Sequence, residues 1–315
     1  MATTSTIYAS KGTWLDGNNT STNYGTATTF IVGQQTSGLS VTERANIILS
    51  FDVSAYTKPS DVVKATLNMT AVSQGGNTVR EIYVYRLDQD FTEAQATWQK
   101  SATSPDTDWS GGTTVGAANN SATTQYSKSA EKKLVSKFNV GFRVTTEPDA
   151  DITELVKDAV NRRSGTLLLW IGLPLSDTDT TSKASASIHS DNAVVTANRP
   201  KIDITVATRI VWDGAAGDGD ISTATNWVGD VAPTTSDIAI FNDGLIDVTT
   251  GYFSCYTCFM SESYTGSIGT TSSSIRLLSD TSLLGGKFVF KKKRGLFNFD
   301  EYSDSGRGVY IANTS

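Results

Sequence analysis

The chain has 315 residues, a formal net charge of −6, and only 18% charged against 38% hydrophobic residues. That length holds two domains with cores of their own or one large all-β domain, and a surplus of Thr, Ser, Gly, Asn and Asp suits short strands and turns rather than helix bundles. The acidic balance excludes a nucleic-acid-coating protein, which needs a concentrated basic face, and no apolar run reaches the roughly 20 residues of a membrane-spanning helix.

The opening "MATTSTIYASKGTW" has no basic segment and no apolar core, so no export signal is expected. Alternation then dominates. "RANIILSFDVS" puts Ala45, Ile47, Leu49, Phe51 and Val53 on one face, with Asn46, Ser50 and Asp52 on the other. "VVKATLNMTAV" does the same with Val63, Ala65, Leu67, Met69 and Ala71, and "REIYVYRL" (80–87) alternates again. Such a period predicts half-buried antiparallel strands.

The pattern stops at "DQDFTEAQATWQ" (88–99), where two large aromatics stand seven residues apart in a polar stretch. Phe91 and Trp98 are expected to plug one end of a sandwich, with Glu93 and the threonine hydroxyls bonding loop backbone. The competing reading makes them a platform for a sugar ring. Gly111 to Lys133 is predicted to be a long surface excursion.

One helix is predicted in "DADITELVKDAVNRRSG", where Ile152, Leu155, Val156, Ala159 and Val160 form one stripe. Asp149 or Asp151 can cap it, Arg162 and Arg163 suit its negative end, and Gly165 can stop it. "GTLLLWIGLPL" (165–175) is continuously apolar and predicts a central strand buried on both faces; "PKIDITV" (200–206) closes the unit. A fresh start at "ATRIVWDG" (207–214) divides the chain into domains 1–207 and 208–315. The second carries short strands such as "DIAIF", "LIDVTT", "SIRLL" and "GKFVFK".

Several stretches of the first domain, in order, resemble the DNRLRE family, a β-sandwich module of surface proteins and polysaccharide-acting enzymes. They are "NYGTATTFIVG" (23–33), "RANIILSFDVS" (44–54), "FTEAQATW" (91–98), "ADITELVKDAV" (150–160) and "SIHSDNAVVTANRPKIDITV" (187–206). The likeness covers about residues 5–206 and implies a non-catalytic sandwich; Phe91 stands where Trp is commoner. In the second domain Trp212, Asn226, Trp227, Pro233, Asp237 and Phe241 are similar to a pattern of autotransporter-type adhesins and phage virion proteins.

Catalytic furniture is sparse. His189 is the single histidine, and there is no nucleophile elbow, phosphate loop or dinucleotide fingerprint. Cys255 and Cys258 form a lone Cys-x-x-Cys without the further ligands of a zinc site, so they are expected to be reduced packing residues. Asp213, Asp218 and Asp220 in "DGAAGDGD" offer oxygen ligands suited to calcium, against the plainer reading of a tight turn exposing acids; Asp177 and Asp179 offer a weaker version. "KKKRG" (291–295) is expected to be a solvated hairpin end.

The resulting expectation is an all-β protein: a jelly-roll-like antiparallel sandwich with one short helix, then a smaller β-roll or stack of β-layers. Its first functional reading is a non-enzymatic phage virion protein, assembled in the host cytoplasm. It would dock on other virion proteins through "FVFKKKRGLFNF" (288–299) and oligomerise, a trimer being one option. The alternative is a secreted carbohydrate-binding module or adhesin engaging a cell-surface glycan. A polysaccharide-degrading enzyme comes third, since its two carboxylates are not identified.

Overall fold

The computed structural model describes residues 2–35, 44–109, 135–141, 144, 147–173, 179, 181–242, 248, 252–253, 255–260 and 276–277. The surface excursion, Asp177, "GKFVFK", "KKKRG" and "FVFKKKRGLFNF" lie outside the described residues. The chain divides into two compact units, Thr4–Ile204 and Thr205–Ser315 with Met1–Thr3. We propose that the units fold separately, so residues 1–207 expressed alone should be soluble and melt cooperatively. A fragment soluble only with its C-terminal half attached would overturn that division.

In the first unit the strands run β1 (Thr3–Tyr8), β2 (Lys11–Asp16), β3 (Thr29–Gln34), β4 (Ala45–Asp52), β5 (Val62–Asn68), β6 (Ala71–Gly76) and β7 (Val79–Arg86). They continue as β8 (Lys100–Thr103), β9 (Asp106–Asp108), β10 (Val135–Gly141), β11 (Ala150–Asp151), β12 (Thr166–Gly172), β13 (Ala184–His189) and β14 (Lys201–Val206). One sheet has the order β1-β14-β5-β11, and the other β10-β7-β12-β4-β3-β13-β6 with β2 added on β4. The second sheet curls until β10 meets β6, where Gly141 gives its N–H to the Gln74 side chain. A Cβ on Gly141 would lie 2.1 Å from the Thr78 carbonyl oxygen, and its φ is +122°, so only glycine fits.

β4 lies between β12 and β2, pairing Leu49 with Leu169 on one side and with Gly12 on the other. Ile47, Leu49 and Phe51 are buried as the alternation predicts, but so are Asn46, Ile48 and Ser50. A central strand in a curled sheet is covered on both faces, which a period of two cannot reveal. β12 is central and buried throughout its apolar run, as expected. The predicted strand "VVKATLNMTAV" breaks at Met69–Thr70, and its two halves join different sheets as β5 and β6. Its first buried residue is therefore Val62 and not Val63.

The helix α1 spans Thr153–Arg162 and packs on β5 and β12. Asp151 takes both the N–H and the hydroxyl of Thr153, while the chain leaves the helix through Ser164 (φ 51°) and Gly165 (φ 80°), whose N–H reaches the Ala159 carbonyl. Asp158 on its buried face meets Arg86 of β7 at 3.2 Å, and Arg86 also holds Asp88 at 2.8 Å. Arg163 bonds Asp88 in turn. An ionic network thus fastens the helix to the sheet.

The second unit is built differently. Strands β15 (Arg209–Val211), β16 (Ile238–Phe241) and β18 (Thr257–Met260) form a parallel sheet, and β17 (Tyr252–Phe253) pairs in parallel with β19 (Arg276–Leu277). Parallel neighbours require the chain to return to the same end before each new strand, so these strands are not joined as hairpins. Trp212, Trp227 and Phe241 make the interior, with Trp212 and Trp227 edge to face at 5.2 Å.

Candidate functional site

Stretches far apart in sequence converge at one end of the sandwich. Asn23 gives its amide to the carbonyls of Glu93 and Ala96, both at 2.7 Å, and accepts the Gly25 N–H. Asn192, in the turn after β13, gives its amide to the Gly25 carbonyl at 2.8 Å. Glu93 receives the N–H of Gly12 at 3.0 Å. Any side chain at Gly25 would collide with the Glu93 carbonyl, which lies 2.2 Å from the Cβ position.

Phe91 and Trp98 lie inside this junction, 4% and 0% exposed. Rings with no free face cannot stack on a sugar, so the platform reading fails for both and the plug reading stands. The hydroxyl of Thr97 accepts the N–H groups of Gln99 and Lys100, and its carbonyl takes the indole N–H of Trp109. Lys11 lies 4.7 Å from the centre of the Phe91 ring. Burial and the neighbouring Glu93 carboxylate push the Asp191 carboxyl up to about 8, while Arg199 opposes the shift.

Aromatics do reach the surface on β7. Tyr83 and Tyr85 share one face of that strand and stack at 5.8 Å and 12°, and Tyr85 leans on Trp170 of β12 at 5.3 Å. Exposure rises along this ladder, from fully buried Trp170 through buried Tyr85 to partly exposed Tyr83. Burial and Tyr83 push the Tyr85 phenol up to about 12. Tyr83 gives its hydroxyl to Glu81, and Lys137, directly across on β10, pairs with the same carboxylate. The sequence held the alternating tyrosines, but only strand pairing placed Trp170 and Lys137 beside them.

The expected calcium ligands are found in turns. Asp213 accepts the Ala215 N–H, Asp218 accepts the Asp220 N–H and the Asn226 amide, and Asp220 accepts the N–H and hydroxyl of Ser222. The Asp220 N–H and the Asn226 amide hold the Asp218 carboxyl below its ordinary range. Among the described residues no group of three or more His, Cys, Asp or Glu could hold a metal ion. Asp179 accepts the N–H groups of Thr181 and Ser182, and its carbonyl receives Arg44 and Arg80. His189 ends β13 and meets Asn198 at 3.5 Å. Cys255 and Cys258 are free thiols in the core of the second unit, and burial pushes the Cys258 thiol up.

The first unit is thus an all-β sandwich that brings one aromatic ladder to its surface. Residues 3–128 match the family model of carbohydrate-binding module family 96, over less than half of the chain. No curated protein matches the chain. The match favours the glycan-binding alternative over the virion reading. Among the described residues no helix is long and apolar enough to cross a membrane.

Proposed function

We propose that the chain is a non-catalytic glycan-binding protein, its first unit holding the sugar and its second unit, 208–315, serving attachment or display. The family match over residues 3–128 carries this reading. The Tyr83 ladder is the sugar-contacting face. A partly exposed phenol ring, backed by Tyr85 and Trp170, offers a rigid apolar surface to a pyranose face. The Glu81–Lys137 pair beside it supplies an acceptor and a donor for hydroxyls.

Affinity electrophoresis of the full chain in gels containing a panel of soluble polysaccharides tests the proposal. Retention by at least one is expected, and Tyr83→Ala should weaken it about tenfold, ~1.4 kcal/mol, without lowering the melting temperature. Failure of every polysaccharide to retard the wild type would remove the function. Undiminished retention of Tyr83→Ala would move the site to another face. Whether the protein is displayed on a phage particle or secreted is a separate measurement, made by mass spectrometry of purified particles and of culture supernatant.

A further inference from the structure

We propose that Glu93 and Asp191 form a proton-held latch: one proton shared by their carboxylates clips the 88–99 loop to the turn after β13, and its loss as pH rises loosens that end of the sandwich. Both acids converge on Gly12 at the start of β2. Glu93 Oε1 accepts the Gly12 N–H at 3.0 Å, and a Cβ on Gly12 would lie 3.2 Å from Asp191 Oδ1. With a glycine there, no side chain separates the two acids. Asp191 Oδ1 is buried and has no N–H or O–H donor among the described residues, and the neighbouring Glu93 carboxylate helps to raise the Asp191 carboxyl. Two carboxylates brought to the same glycine repel each other when both are ionised, and a single proton between them turns repulsion into a charge-assisted hydrogen bond.

The surrounding charges do not supply the missing counter-ion. Lys11 of β2 is engaged by Asp90 and by the Phe91 carbonyl. Arg199, from the segment before β14, gives its Nε to the Ala193 carbonyl and attracts Asp191 only partially. From the turn before β3, Asn23 and Gly25 offer neutral groups, and the Tyr24 hydroxyl is given to Asp16. His189 at the end of β13 faces Asn198. The latch therefore joins two of the four stretches that the Asn23, Glu93 and Asn192 bonds already bring together.

The sign of the pH dependence follows from linkage. Asp191 is raised in the folded protein, so the folded state holds more protons than the unfolded chain between the ordinary carboxylate range and about 8. The contribution of the pair is present in full below that window and lost as pH rises through it.

Thermal melting of the full chain from about pH 4 to about pH 9 tests the latch, with Asp191→Asn and Glu93→Gln as variants. The wild type should lose a few degrees across the window. Either variant, holding a neutral amide beside one carboxylate, should flatten the profile and melt above the wild type at the alkaline end. Infrared difference spectra should show the carbonyl stretch of a protonated carboxyl near neutral pH in the wild type and not in Asp191→Asn. A flat wild-type profile, or absence of that band, overturns the latch even if one variant fails to fold. So does calcium chloride restoring the alkaline melting temperature of the wild type alone, which would make a cation rather than a proton the bridging charge.

Discussion

Trp98→Ala is expected to lower the stability of the first unit by about 3–5 kcal/mol, the usual cost of emptying a buried Trp site. The ring is fully buried, and Phe91 is nearly so, in a loop tied down by Asn23, Glu93 and Thr97. Backbone bonds of that kind hold the loop in place, so the cavity cannot collapse easily and the upper part of the range applies. A loss of this size is a large fraction of a domain's total margin. Trp98→Phe, which keeps an aromatic plug, should recover a substantial part of it. Thermal denaturation of the two variants decides the matter. An unchanged melting temperature with lost glycan retention would return Trp98 to the binding surface.

Arg86→Met should cost about 3–5 kcal/mol for a different reason. The substitution keeps much of the apolar volume but removes the cation nearest a buried acid. Asp158 has a side chain only 6% exposed, and its remaining cations, Arg163 and Arg162, lie at 3.6 and 3.7 Å. Asp88 would keep its bond to Arg163. The double variant Arg86→Met/Asp158→Leu should regain most of the loss, because replacing a buried pair by apolar groups is often neutral or stabilising. A double-mutant cycle read by denaturant unfolding separates the pair from the packing. Additive losses in the double variant would show that the two residues are not coupled.

The proposal that a glycan would meet Tyr83 and not Phe91 or Trp98 has a simple physical basis. A sugar ring needs an aromatic face that water can leave, and a fully enclosed ring offers none. The opening of such a face depends on which strand or loop lies over it.

The all-β class, the helix around Ile152 to Val160, and the burial of Phe91 and Trp98 were written in the sequence itself. Each depends on local periodicity or on the size of a side chain in a short polar stretch. The parallel pairing of the strands around Trp212, Trp227 and Phe241 was not legible, because strand direction is not encoded in a short apolar run. Tertiary structure decided what periodicity cannot carry. It turned Arg80 and Arg86 to the same side of β7 as buried Ile82 and Val84, where Gln34 and Asp158 receive them. Arg86 and Asp158 are 72 residues apart, and Gly12 and Glu93 81 apart. The reason is common to both: a strand's own residues set which faces can be buried, but the sheet order selects the neighbours, and only neighbours create an ion pair, a shared proton or an exposed ring.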